Sequence, residues 1–283
     1  MNSVLGQIEL IRRDRVRGAS ELALQALDVL GRVALEDEVH TAEQLVTNLR
    51  RYARLLLSAK PAMAAITNTV RCFEKHVDRI LADKPALEQA RCRIAQAARE
   101  VADAAIRARS SSILQAAMLA AHWKAIATCS FSSTVVSVLA KAREQGGNFK
   151  VLCLESATGG LKYGELATTR LKDLGVSAAV VPDSQVNDAL REVDAALIGS
   201  DSVFSDGSVV NGYPSLLLAK AAAAALPPVP FYSVTDWTKV CASPPSAPRE
   251  PGFDFIPSRL IAGIITEEGL LAPSDLPSFI ESL

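Results

Sequence analysis

After Trp123 the pattern of the chain changes. Up to about His122, apolar residues recur at helical spacing, through Leu22, Leu24, Leu27 and Leu30, then Leu45, Leu49, Leu55 and Leu56, then Ile94, Val101, Ala105 and Ala108. A period of three to four residues lines one face of a helix. Beyond Trp123, short apolar runs at 125–128, 150–155, 178–182, 195–199 and 230–234 alternate with helical stretches at 132–144, 163–174, 185–191 and 214–225. Runs of that length, separated by helices, suit strands buried on both faces of a parallel sheet and joined by right-handed crossovers. The expected fold class is therefore α/β, with an N-terminal helical domain over residues 1–122 and a Rossmann-like parallel-sheet C-terminal domain over residues 123–283. Nearly half of the 283 residues are apolar, enough to fill two cores. Pro61 and Pro85 suit the first turn of a helix and mark breaks in the helical region. A proline-rich loop or flap is expected over 243–251, with a further strand and helix after Asp254.

Charge and cysteine usage exclude several classes. A net charge of −1 provides no basic field for nucleic acid, so no direct nucleic-acid partner is expected. No secretory leader opens the chain, and no apolar run reaches the ~18 residues needed to cross a bilayer, so no membrane partner is expected. The five cysteines, at 72, 92, 129, 153 and 241, lie far apart without a CxxC pair, which suits a reducing compartment and a cytoplasmic protein. With three scattered histidines, neither a metal centre nor a cofactor is expected.

The stretch 194–220 carries the strongest chemical signal: a buried strand, a polar loop and then an alanine-rich helix. In open α/β sheets ligands bind beyond the carboxyl ends of strands, which makes Asp201 and Asn211 candidates. Asp201 could exchange protons with a substrate, or it could cap the amides of its own loop. The turn Thr128-Cys129-Ser130-Phe131-Ser132-Ser133-Thr134 brings hydroxyls and backbone N–H groups to a helix start, where an anion is favoured. Ser132 or Ser133 could equally serve as the helix cap. A helix start would favour thiolate at Cys129 if the thiol points toward it. Cys153, inside a strand, reads as core. Glu155 ends the second strand, ahead of a loop containing Gly159 and Gly160, and Asp236 and Lys239 follow the fifth strand onto the same rim. Arg12, Arg13, Arg15 and Arg17 read as readily as a solvated helix face.

Several blocks, in order along the chain, resemble a known family. Arg15-Val16-Arg17-Gly18-Ala19-Ser20 is similar to its RGA block, and Ala59-Lys60-Pro61-Ala62-Met63 to its ARPT segment. The stretch GSDSVFSDGSVVNGYPSLLLAKAA resembles its GAD, DG and NKxGT block, and Asp254-Phe255-Ile256-Pro257 with Ile264-Ile265-Thr266-Glu267-Glu268-Gly269 resembles its DxTP and ITExG elements. The family is that of the α, β and δ subunits of translation initiation factor 2B, with the ribose-1,5-bisphosphate and methylthioribose-1-phosphate isomerases. The resemblance implies a cleft between the domains for a phosphorylated ribose or nucleotide, and a homodimer or higher homo-oligomer through the C-terminal domain. It assigns Arg17, with Gly18 and Ala19, to phosphate, Asn211 to ligand binding, and Asp201 to the carboxylate that interconverts an aldose phosphate and its ketose.

This chain also departs from that pattern. Ser130 stands at the catalytic cysteine of the isomerases and Cys129 at the preceding histidine, and a hydroxyl is a far poorer acid or base near neutral pH than a thiol. Ala157 replaces the phosphate-holding arginine that follows Glu155, and Gly212 replaces the lysine after Asn211. Each lost charge-assisted contact is typically worth about 1.5–3 kcal/mol. The expectation is a ligand-sensing or assembly protein whose isomerase chemistry is lost or altered. The alternative is a working aldose-ketose isomerase, with Asp201, Cys129 and Ser130 as catalytic residues and Arg17, Gly18, Ala19, Glu155, Ser132, Ser133, Asn211 and Lys239 holding the substrate.

Overall fold

A computed structural model describes residues 3–242 and 251–283. They fall into two compact units, Met1–Arg107 and Ala108–Leu283.

The first unit contains helices α1 (Val4–Arg13), α2 (Ala19–Glu36), α3 (Ala42–Leu57), α4 (Ala64–Ala82) and the larger part of α5 (Leu87–Ala120). Side-chain caps set the starts of α1 and α3: the Ser3 hydroxyl accepts from the Gly6 N–H at 3.1 Å and the Thr41 hydroxyl from the Gln44 N–H at 3.2 Å. Leu22, Leu27 and Leu30 on α2 are fully buried with Val70 and Phe73 on α4, against which α2 packs. Arg91 is buried for a structural reason. Its Nη1 donates to the Ala34 carbonyl at 3.1 Å and its Nη2 to that of Asp37 at 2.7 Å, closing the carboxyl end of α2. The prolines differ from expectation, because each stands ahead of its helix rather than in the first turn. Pro61 lies in a turn closed by the Met63 N–H on the Lys60 carbonyl, and Pro85 follows Lys84, whose φ of 49° has already left the helical region.

The second unit begins inside α5, whose Ala116, Ala117 and Ala120 belong to the core of the sheet. In order it runs β1 (Ala125–Thr128), α6 (Ser133–Glu144), β2 (Lys150–Leu154), β3 (Ala157–Thr158), β4 (Leu161–Lys162), α7 (Tyr163–Asp173) and β5 (Ser177–Val181). Then come α8 (Val186–Ala189), β6 (Ala195–Ile198), β7 (Ser202–Phe204), β8 (Val209–Gly212), α9 (Ser215–Ala224) and β9 (Phe231–Val234). The remainder is β10 (Val240–Cys241), β11 (Phe253–Ile256), β12 (Gly263–Thr266), β13 (Gly269–Leu271) and α10 (Leu276–Ser282).

The main sheet has the order β13-β12-β9-β6-β1-β2-β5, parallel except at β13. From β1 the chain builds outward through β2 to β5, then returns to the other side of β1 and builds through β6 and β9 to β12. The direction therefore reverses between β1 and β6, and such a switch point opens a crevice at the carboxyl edge.

A second sheet, β10-β7-β8-β11, corrects the expectation of a polar loop after β6. Asp206 and Gly207 turn a hairpin there, with Gly207 at φ 78°. Val203, Val209 and Val210 on its two strands are buried. Strands of three and four residues are too short to show alternation against the surrounding serines and aspartates. Of the expected proline-rich loop at 243–251, residues 243–250 lie outside the described residues.

Candidate functional site

The crevice edge begins with the turn after β1. Ser130 sits at φ 56° and Ser156, after β2, at φ 54°. Both lie in the left-handed region that L-residues avoid, at a cost of about 1 kcal/mol or more each. The two are tied together. Ser130 donates its N–H to the Ser156 hydroxyl at 2.8 Å, that hydroxyl donates to the Leu154 carbonyl at 3.0 Å, and the Ser156 N–H is held by Asp183 at 3.0 Å. This network keeps the ends of β1 and β2 in register.

The next residues bring three segments into contact. Ser132 caps α6 by accepting from the Val135 N–H at 3.3 Å, and it lies so close to β6 that a Cβ on Gly199 would fall 2.4 Å from its hydroxyl oxygen. The same Cβ would stand 3.9 Å from the Asn211 side-chain oxygen, and one on Gly212 would meet the Ser130 side chain at 3.1 Å. Ser130, Ser132, Gly199, Asn211 and Gly212 are thus assembled at the β1/β6 switch point. Asn211 is buried and donates to the Ser215 hydroxyl at 2.8 Å. Asp254, beside Asn211 in the β8–β11 register, accepts from the Leu216 N–H at 3.0 Å and so holds the start of α9.

Cys129 is not where a reactive thiol would be. It is 1% exposed, belongs to the apolar core, and its sulfur lies 3.3 Å from the Ser215 hydroxyl. That hydroxyl already donates to the Gly212 carbonyl at 2.6 Å, which leaves the thiol as the donor. Burial pushes the Cys129 thiol up to about 12, the reverse of the depression that a helix start would cause. The charges it feels belong to Asp254 and Asp183, whereas Asp201 acts on Lys239.

Across the switch point the groups are charged. Asp201 is half-buried, and its N–H donates to the Val210 carbonyl at 2.8 Å at the root of the β7–β8 hairpin. Lys239 is 3% exposed, at the end of a single tight turn, residues 237–239, that follows β9. Burial lowers its ammonium from the usual range, Asp236 and Asp201 pull it back up, and Arg109 lowers it again. Arg109 arrives from α5, and its Nη2 donates to the Ser133 hydroxyl at 3.1 Å while its Nε is buried without a hydrogen-bond partner among the described residues. Two cations, Arg109 and Lys239, and two carboxylates, Asp201 and Asp236, therefore interact at this edge.

The remaining candidates are held by contacts within their own units. Glu155 pairs with Lys162 at 2.9 Å on the outer hairpin of β3 and β4. Arg17, Gly18 and Ala19 belong to the helical unit, where Gly18 opens α2 without a side-chain cap. The Asp14 carboxylate accepts from the Arg17 N–H at 2.8 Å, and the Arg17 guanidinium is half exposed. The sequence reading missed Arg109, whose charge was lost among the polar positions of a long helix. Glu267 is likewise missed, since it lies in the stretch Ile264–Gly269 but on no apolar or glycine signal. Among the described residues no group of three or more metal-binding side chains occurs, and no helix is long and apolar enough to cross a membrane.

The sequence profile of the Initiation factor 2 subunit family matches residues 15–248. A translation initiation factor eIF-2B subunit 2-like protein of Pyrococcus abyssi is 30% identical over 285 residues, covering 95% of this chain and 96% of its own. A ribose 1,5-bisphosphate isomerase of Methanocaldococcus jannaschii is 25% identical over 305 residues, covering 99% and 95%. The fold recurs, with a TM-score of 0.81 and 21% identity, in the tetrameric eIF2B-beta2-delta2 complex from C. thermophilum, over 99% of this chain and 93% of that one.

Proposed function

The chain belongs to the Initiation factor 2 subunit family, whose relatives include ribose-phosphate isomerases, and on that premise we propose that it senses a phosphorylated ribose or nucleotide, or serves assembly, without ordinary isomerase turnover. The observation that carries this reading is the position of the thiol. Cys129 is packed in the core, its proton is directed at Ser215, and its ordinary value is pushed up to about 12. The neighbouring position, aligned with the isomerases' cysteine, is a serine. A general acid or base should titrate near the working pH and reach the substrate, and neither group does. The ligand side is better supported. Arg109 and Lys239 add cationic character to an edge where Ala157 and Gly212 have removed it, and Ser130, Ser132 and Asn211 supply hydroxyl and amide groups that match a sugar. Assembly is proposed as homodimer or higher homo-oligomer through the sheet domain.

Incubation with ribose 1,5-bisphosphate or methylthioribose 1-phosphate, followed by NMR, is expected to yield no ketose, while sugar phosphates or purine nucleotides raise the melting temperature by mass action. Turnover that disappears in Asp201→Asn overturns the proposal and establishes the isomerase.

One observation favours that second reading. Lys239 is a buried amine whose affinity for its proton is lowered and which interacts with Asp201. A lysine so placed gives up its proton more readily than an exposed one, and as the neutral amine it would take the part that the thiol does not.

A further inference from the structure

The turn that carries Lys239 is held from two sides by carboxyl groups that have no other assigned task. The parallel register of β9 and β12 pairs Val234 with Ile265. The Thr235 N–H continues that pairing onto the Ile265 carbonyl at 2.9 Å, and Asp236 and Glu267 follow the two strand ends, close enough for the Asp236 charge to act on Glu267. The two groups are used alike. One oxygen of Asp236 accepts from the Thr238 N–H at 3.0 Å and from the Thr238 hydroxyl, and one oxygen of Glu267 accepts from the Trp237 N–H at 3.1 Å. Consecutive residues of one turn are therefore gripped by carboxyls from adjacent strand ends.

Each carboxyl also has a second oxygen. Asp236 Oδ2 and Glu267 Oε2 are both buried, and neither has a hydrogen-bond partner among the described residues. A buried acceptor without a donor loses its hydration for nothing, and two ionised carboxylates on neighbouring strands repel. One proton between these oxygens removes both penalties: it gives Glu267 a donor, Asp236 an acceptor's partner, and the pair a single negative charge. The surroundings agree. Burial raises the Glu267 carboxyl above the usual range, with Asp236 and Glu268 adding to the rise, against the Trp237 amide. On the other face of the turn, Asp236, Asp201 and Arg109 act on Lys239.

We propose that Asp236 and Glu267 share one proton, and that this proton clamps the turn 237–239, and with it Lys239, at the carboxyl edge of the sheet. They are positioning residues, acting on the edge through the turn. The bearing of the clamp on any ligand rests on the function proposed above; the clamp itself does not. The sign follows from linkage. The folded pair retains a proton that the unfolded chain has already lost, so stability falls as pH rises from the ordinary carboxylate range through the raised value.

The test is the melting temperature of the ligand-free full chain from pH 5 to 9, for the wild type and for Glu267→Gln. Glutamine keeps an amide N–H for Asp236 Oδ2 and has nothing to titrate. The wild type is expected to lose several degrees relative to the variant across this range. Curves that run parallel overturn the shared proton. Where Glu267→Gln does not fold, carboxyl carbon NMR of the wild type reads the same quantity: a Glu267 midpoint above the ordinary range supports the clamp, and one within it overturns it. Because no ligand is present, failure here leaves the proposed function standing, and a failed search for ligands leaves the clamp standing.

Discussion

At the ends of β1 and β2, the polar groups that define the edge are matched within the protein: Ser130 N–H on Ser156, Ser156 on Leu154 and Asp183, Ser132 on the start of α6, Asn211 and Cys129 on Ser215. At the ends of β9 and β12 they are not. Among the described residues Asp236 Oδ2 and Glu267 Oε2 have no hydrogen-bond donor, and Lys239 is buried among charges. The two halves sit on one continuous sheet, so the difference does not come from the fold. The β1 side reads as architecture, a rigid floor shaped by backbone strain and small residues. The β9 side retains chemical potential, because buried charges without partners respond to a proton or a ligand more strongly than hydroxyls already held in place.

The comparison is broken most forcefully at Lys239. Lys239→Met removes the buried cation on which Asp236 and Asp201 act, and breaking a buried ionic arrangement from one side is expected to cost about 3 kcal/mol in a urea melt. It should also abolish the thermal shift with sugar phosphates. Should the cost prove negligible, the β9 side holds no more than the β1 side. A smaller effect tests the closeness of the floor. Gly199→Ala drives a methyl against Ser132, for an expected loss of about 2 kcal/mol by overpacking. Ser132→Ala alone is expected to lose about 1 kcal/mol through its helix cap. Combined with Gly199→Ala it should lose less than the sum, since the removed oxygen is the clashing atom. Strict additivity would separate the two segments.

The smallest effect concerns Cys129. In the native protein at pH 8 a thiol reagent is expected to modify the exposed Cys92 and spare Cys129, and Cys129→Ala should leave any sugar-phosphate binding unchanged within about twofold. Because the thiol is raised in the folded state, it contributes no pH dependence near neutrality. Stability is lost only as pH climbs from the ordinary thiol value of 9.0 toward about 12. Rapid labelling of Cys129 at pH 8 would return it to the candidate catalysts.

Much of the architecture was legible in the sequence. The strand at Ala125–Thr128 lies where its apolar run predicts, and the helix starts at Ser133 and Tyr163 fall within a residue of expectation. These elements are long or uniformly apolar, so periodicity marks them without ambiguity. The hairpin of β7 and β8 escaped notice, because its strands are short and its buried valines lie among serines and aspartates. In the candidate site, the positions of Asp201, Asn211 and Lys239 at or after strand ends are legible from the linear pattern. Arg109 and the role of Glu267 are not, since their neighbours come from segments distant in the chain.

By its own pattern the sequence determined the two kinds of structure and the residue types that stand at the strand ends. Those are local properties, written in spacing and in where glycine and proline stand. Only the tertiary structure decided which way each side chain of the edge is matched. Whether a thiol beside a helix start faces that start or the core depends on Ser215, a residue brought up by a different strand and helix. Whether Asp236 and Glu267 both hold the turn 237–239 depends on strand ends that are about thirty residues apart in the chain meeting in space. Hydrogen-bond partners and the cost of burying charge are set by distance in space, which a one-dimensional pattern does not contain.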